Sequence, residues 1–393
     1  MSEAELYRPK YHFTPKKNWM NDPNGLVYVN GTYHLFFQHN PFAITWGHMH
    51  WGHAVSTDLL NWEELPIAIS EDEDGTIFSG SAVYDENNTA GFGKAIVAIY
   101  TANKTRSEDP KQWQGQSIAY SLDEGLTFTK YSGNPVIDRN LEEFRDPKVF
   151  WHEDRWVMIV AISIEQKIAI YSSLDLKKWE LQSESLFFVE NEAKLECPDL
   201  FPLELNGKRH WVLILSYFPH GIKNEASTKY VIGNFNGKSF EATSEPIWMD
   251  WGPNCYAGVT YNNTPDGKRI FMAWMKPLSD SVHPGTAWTG SMTVPRELSL
   301  IERNGMIQLV QQPICPPSRR LTLGIGETIS GSVDISFDGS SLHFEDYSMP
   351  VTSFDGKIEI DIWLDSCSIE IIADQGTKSL SATVFPKEGI PIV

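Results

Sequence analysis

The sequence predicts an all-β protein: a five-bladed β-propeller over residues 1–310, a proline-rich linker over 311–317, and a small β-sandwich over 318–393. Three observations point there. Short runs rich in Val, Ile, Phe, Tyr and Trp alternate with Gly, Asn, Asp and Pro turns, and no stretch beyond about a dozen residues keeps a helical period. A polar turn closing on an aromatic recurs at intervals of 52–65 residues: Ser56 to Trp62, Ser121 to Phe128, Ser173 to Trp179 and Asn234 to Phe240. Finally, the pattern breaks at Gln311-Gln312-Pro313-Ile314-Cys315-Pro316-Pro317, beyond which the segments alternate strictly.

The first unit opens on Trp19-Met20-Asn21-Asp22-Pro23-Asn24-Gly25. This stretch sets a carboxylate between two amides, restricts the backbone at Pro23, and ends on a glycine free to take unusual dihedrals. Leu26-Val27-Tyr28-Val29, the Asn30-Gly31 turn and the run from Tyr33 to Gln38 then read as a β-hairpin. Later units repeat the plan: a polar strand mouth, an aromatic-rich hairpin and a turn. A fifth, looser unit runs from Asp250 through Trp274 to about Leu309. Four strands per unit suit a propeller whose innermost strands line a central channel. A large sandwich also uses short strands but has no reason to repeat at this period. Past the linker, Ile358-Glu359-Ile360-Asp361-Ile362-Trp363 and Ser368-Ile369-Glu370-Ile371-Ile372-Ala373 read as strands of a small antiparallel sandwich.

Composition narrows the function. A net charge of −19 argues against nucleic acid and anionic membranes as partners, leaving neutral substrates. Aromatic residues make up 12% of the chain and include 14 Trp, more than core filling asks for, and Trp is a common platform for sugar rings. Met1-Ser2-Glu3-Ala4-Glu5 lacks the basic and apolar parts of a signal peptide. The four widely spaced cysteines (197, 255, 315, 367) have no metal-type spacing. The expected setting is therefore cytoplasmic, with a secreted mature form left open by sequons at Asn30, Asn87, Asn103 and Asn262.

In a propeller the mouths of the innermost strands converge at one end of the channel. Three acids stand at such mouths: Asp22, Asp146 in Phe144-Arg145-Asp146-Pro147, and Glu196 in Leu195-Glu196-Cys197-Pro198-Asp199. Two carboxylates at short range are what glycoside hydrolysis requires, one as nucleophile and one as proton donor, while a third can hold sugar hydroxyls. Each acid alone also reads as strand-end punctuation. Their recurrence in separate repeats favours chemistry.

These segments, with Phe78-Ser79-Gly80-Ser81, Pro295-Arg296-Glu297-Leu298 and Leu364-Asp365-Ser366-Cys367-Ser368-Ile369-Glu370, resemble glycoside hydrolase family 32 over nearly the whole chain. That family includes the invertases, exo-inulinases and levanases. The resemblance implies a five-bladed propeller plus sandwich and retaining, cofactor-free and metal-free hydrolysis of β-fructofuranosides. Asp22 is then the nucleophile, Glu196 the acid/base and Asp146 the transition-state stabiliser. Asn21, Gln38, Ser79, Arg145, Cys197, Tyr256 and Trp274 belong to the fructose pocket, and Trp19, Trp46 and Phe78 form its apolar wall. Arg145 is expected to keep Asp146 ionised, and the charge of Asp22 to hold the proton on Glu196. The alternatives are a fructosyltransferase sharing the intermediate, or a sugar-binding propeller without catalysis. The branch most resembled acts on fructans as well as sucrose.

His48, His50 and His53 suggest zinc at first sight, but on a strand His53 points away from the other two. The acidic run Glu71-Asp72-Glu73-Asp74-Gly75 lacks calcium-loop spacing. No metal is expected at either. The 75 or so residues after the linker are few for the family's sandwich, so it is expected to be shortened, to expose edge strands, and to favour a homodimer.

Overall fold

The computed structural model describes residues 5, 7–106, 109–186, 193–219, 226–277, 286–386 and 391–393, so Met1 to Ala4 of the N-terminal stretch discussed above lie outside the described residues. Among the described residues, five antiparallel sheets follow one another along the chain, each led by its innermost strand: Asn18–Val29, Thr76–Asp85, Phe144–His152, Lys194–Leu205 and Tyr256–Thr260. Three further strands complete the core of each sheet by hairpin succession, and the fifth sheet ends on Met306–Pro313, which runs into the proline-rich stretch. The ring closes where Trp288–Thr289 pairs in parallel with Asn18 and Trp19.

Five apolar clusters explain the closure, one between each pair of adjacent blades. Val29, Phe36 and Trp51 of the first blade meet Ala82 and Ala98 of the second. The series continues through Ile99 with Val160, Ile159 with Leu213, and Ile214 with Phe271, and returns through Met272 with Leu35. Because every sheet is covered on both faces, its central strands carry near-continuous apolar runs. Arg155–Ile162 is buried at every position after the first.

The recurrent turn has a physical basis. Asp58 accepts backbone N–H bonds from Leu60 (2.9 Å) and Asn61 (2.8 Å), Asp175 from Lys177 (3.0 Å) and Lys178 (2.7 Å), and Asn236 from Lys238 (2.9 Å) and Ser239 (2.8 Å). Each is an Asx turn joining the third strand of a blade to its outermost strand.

Beyond the propeller, two four-stranded sheets pack face to face around Ile335, Leu342, Ile360 and Ile371. Four of these strands are only three or four residues long. One edge, Lys378–Thr383, is covered by the propeller: Trp251 N–H bonds Ser379 O (2.8 Å) and Asn254 N–H bonds Ser381 O (3.1 Å). The joint between the domains is a buried charge network. Arg296 donates to Glu370, Asp250 (3.3 Å), Gln311 (2.7 Å), Ser379 (3.0 Å) and Ser381 (2.6 Å). His12 bridges Asp365 (3.0 Å) and Glu370 (2.8 Å). Burial alone would lower the His12 pKa, but its two carboxylate partners outweigh burial and raise it to about 9. Burial would raise both carboxylates, yet His12 and the backbone N–H groups of Tyr11 and Lys10 hold Asp365 down at about 2, and the charge of Arg296 with the bond to His12 holds Glu370 at about 2.

Candidate active site

Every innermost strand carries a β-bulge at the same register, where two of its residues face one on the neighbouring strand. Asn21-Asp22 face Gln38, Phe78-Ser79 face Thr101, Asp146-Pro147 face Val160, Cys197-Pro198 face Leu215, and Ala257-Gly258 face Ala273. The bulge leaves an N–H outside the ladder, and proline at Pro147 and Pro198 removes that donor. In the last three blades the first bulged residue takes a left-handed φ, 64° at Asp146, 47° at Cys197 and 54° at Ala257, a conformation side-chain-bearing residues rarely adopt without a local reason. Arg145, Glu196 and Tyr256 are equivalent positions in adjacent blades, each just ahead of its bulge, and for that reason they meet. Gly25 is required for a separate reason: with φ at 56°, a Cβ there would lie 2.5 Å from the Phe36 ring.

A pocket of about 720 Å³ opens at this end of the channel. Asp22, Asp146 and Glu196 lie in it together, with Asn21, Gln38, Ser79, Arg145 and Tyr256 around them. Trp19 and Trp274 meet edge to face at 5.8 Å on one wall, and Trp46 meets Phe78 at 6.1 Å on the other. Trp46 is 56% exposed, so its ring faces the mouth. Asp22 is tied down on both oxygens: Asn21 donates to Oδ1 (3.1 Å) and the Ser79 hydroxyl to Oδ2 (2.6 Å). Asn21 is itself fixed by the Trp19 indole N–H (2.8 Å), and Gln38 donates to Ile77 O (2.9 Å). Cys197, grouped by sequence with the pocket residues, sits beneath the floor instead. Its backbone N–H bonds Asp146 Oδ2 (3.0 Å), and its Sγ lies 3.5 Å from the same oxygen and 3.8 Å from Asp22 Oδ2.

Arg145 differs from expectation. Its guanidinium is 3.9 Å from Asp146 but donates to Glu196 Oε1 at 2.7 and 3.1 Å and also to Glu143. The Tyr256 hydroxyl donates to the other oxygen of Glu196. Asp146 is consequently not held ionised. Burial in the bulge pushes it up to about 7 against the pull of Arg145, with the charges of Glu196 and Asp22 adding to the rise. Asp22 is raised too, by burial first and by Glu196 next. Asp22 and Asp146, buried side by side, both hold a proton more strongly than free carboxylates and titrate together rather than independently.

The histidines disperse. His48 bonds Glu71 (2.8 Å), His50 bonds its own neighbour's carbonyl at His48 (2.6 Å), and His53 pairs with His34 (3.0 Å). Asp72 meets Lys130 at 2.6 Å. Among the described residues, no group of three or more His, Cys, Asp or Glu is arranged to hold a metal ion.

Sequence reasoning missed Gln112, Gln114, Glu143, Lys194, Phe218 and Lys276, which also line the pocket. A signal existed for two of them. Glu143 and Lys194 precede Arg145 and Glu196 by two residues, and side chains two apart on a strand share a face.

The N-terminal domain of glycosyl hydrolases family 32 matches residues 12–313. Levanase of Bacillus subtilis (strain 168) is 44% identical over 331 residues, covering 79% of this chain and 47% of that protein, so the chain spans about half the levanase's length. The extracellular exo-inulinase inuE of Aspergillus ficuum is 35% identical over 486 residues, covering 97% of this chain and 90% of that one. The structure of β-fructofuranosidase from Schwanniomyces occidentalis complexed with fructosyl-erythritol superposes with a TM-score of 0.87 at 31% identity, covering 100% of this chain and 94% of that one. Since the family model spans most of the chain and a relative is 35% identical over nearly its whole length, the protein belongs to glycoside hydrolase family 32.

Proposed function

We propose that this protein is a retaining β-fructofuranosidase that releases terminal non-reducing fructose from sucrose and from fructans of the inulin and levan types. The observation that supports this best is Asp22: a carboxylate fixed on both oxygens, facing the same pocket as a second carboxylate, Glu196, carried on another blade. Asp22 attacks the anomeric carbon and the glycosidic C–O bond breaks as Glu196 gives its proton to the departing oxygen. Glu196 then takes a proton from water, whose oxygen displaces Asp22 and frees fructose. Asp146 has Oδ2 occupied by the backbone of Cys197, which leaves Oδ1 for the sugar hydroxyls. The aromatic walls exclude water around the ring.

The names levanase and exo-inulinase borne by relatives, and the fructosyl ligand in the related structure, support fructans alongside sucrose. Reducing-sugar release should be seen on sucrose, inulin and levan, with free fructose as the product from the start. No release on any of them would defeat the proposal. Fructose appearing only as transferred oligosaccharide would favour the fructosyltransferase reading. We also propose a reducing, cytoplasmic setting, which the four unpaired cysteines favour, and a homodimer. The exposed Ile325 and Phe354 side chains on the sandwich favour the latter, and sedimentation as a monomer at micromolar concentration would refute it.

A further inference from the structure

We propose that Glu143 and Lys194 are a positioning pair that sets how firmly Arg145 grips Glu196, and so tunes proton donation to the leaving group; this rests on the fructosidase reading above. The geometry is a row of alternating charges across two blades. Lys194 Nζ lies 2.7 Å from Glu143 Oε1, while Glu143 Oε2 accepts from Arg145 Nη1. Arg145 in turn gives Nε and Nη2 to Glu196 Oε1, and Tyr256 closes the row on Oε2. Arg145 is thus divided between two carboxylates, one that reacts and one that does not.

The chemistry explains why the second carboxylate matters. A proton donor must hold its proton until the leaving oxygen needs it, and a guanidinium bonded twice to the donor favours losing it. Glu143 offsets part of that positive charge, and Lys194 in turn offsets part of Glu143. The other ionisable groups facing Glu196 are Asp22, Asp146 and Cys197. Asp22 and Asp146 are fixed by the chemistry itself, and none of the three touches Glu143 or Lys194 among the described bonds. The pair is therefore free to act as an adjustment. Its side chains are 19% (Glu143) and 42% (Lys194) exposed, at the rim rather than in the core, so replacing either is expected to leave the blade folded, with circular dichroism as the check.

The two members of the pair carry opposite charges, so they make opposite predictions. Glu143→Gln leaves Arg145 and Lys194 uncompensated. The alkaline limb of the kcat/KM–pH profile on sucrose should move down by about 0.5–1 pH unit. Lys194→Met leaves Glu143 freer to neutralise Arg145, and the limb should move up, by about half a unit. Glu143→Asp, which keeps the charge, should return most of the way to wild type. A merely structural role would lower kcat evenly at all pH values and leave the limb in place. That result, or both variants shifting in one direction, overturns the proposal. Wild-type protein with no activity on any fructoside would instead overturn the fructosidase reading, and the two failures are distinguishable.

Discussion

Asp22→Asn is expected to lower kcat/KM on sucrose by roughly 10⁴–10⁶-fold, the usual cost of removing a nucleophile, while the protein stays folded. The structure explains both halves. The amide occupies the carboxylate's volume, and its oxygen still accepts from one of the two donors, Asn21 and Ser79, that hold Asp22. What disappears is the charge that, in the proposed mechanism, attacks the anomeric carbon. Ser79→Ala should show a milder loss, since it frees one oxygen of Asp22 without removing the nucleophile. Initial rates on sucrose, with circular dichroism to verify folding, decide the matter. Near-wild-type rates from a folded Asp22→Asn preparation free of wild-type protein would refute the assignment.

Arg296→Met should produce the largest loss of stability, about 3–5 kcal/mol, because it strips the partner from buried carboxylates. Glu370 and Asp250 are both within hydrogen-bond reach of this guanidinium and almost wholly buried. Arg296→Lys should recover little, because an ammonium cannot serve the spread of acceptors that the planar fork reaches. Denaturant melts read by tryptophan fluorescence measure this, and an unchanged midpoint would show the joint to be dispensable. The same network sets a pH window. His12 is raised to about 9, so its contribution is complete below about pH 6.5 and is lost as pH climbs through 9. Asp365 and Glu370 are lowered to about 2, so theirs is complete above about pH 4.5 and is lost as pH falls through 2. This network's contribution, read as the melting-temperature difference between the wild type and Arg296→Met, should be greatest between about pH 4.5 and 6.5 and decline on either side. The raised Asp22 and Asp146 meanwhile lower the wild type's own stability as pH climbs through about 7.

Much of this was legible because the sequence repeats. The Asx turns at Asp58, Asp175 and Asn236, and the wider turn in which Asp123 accepts from Thr127 N–H, mark blade after blade, and each uses a side chain whose local hydrogen bonding needs no tertiary context. The three acids were legible for the same reason, since each stands at the start of a repeat. Two segments noted only as resembling the family, Pro295 to Leu298 and Leu364 to Glu370, turn out to meet at the domain joint through Arg296 and Glu370.

The bulges were not legible. A one-residue slip on a strand leaves no mark on the pattern of apolar residues when both faces of the sheet are buried, as they are here. That slip is what sends Arg145 to Glu196 instead of Asp146, and what places Cys197 under the floor. Glu143 and Lys194 share a strand face with Arg145 and Glu196, but the sequence cannot show that Arg145 is shared across blades, which is what relates the four. The sandwich was harder to count than the propeller for a simpler reason. Strands such as Thr328–Ser330 and Tyr347–Pro350 are too short to show alternation.

The central claim is that Asp22 becomes covalently bound to fructose and that Glu196 governs both steps. Mixing Glu196→Ala with an activated aryl β-fructofuranoside isolates it, because such a leaving group departs without a proton while no base remains to activate water. Rapid quenching and peptide mass spectrometry should find one fructosyl residue on the peptide containing Asp22. Adding azide should discharge it as fructosyl azide of retained configuration. A fructosyl group on the Asp146 peptide, or no adduct together with an azide product of inverted configuration, would contradict the mechanism.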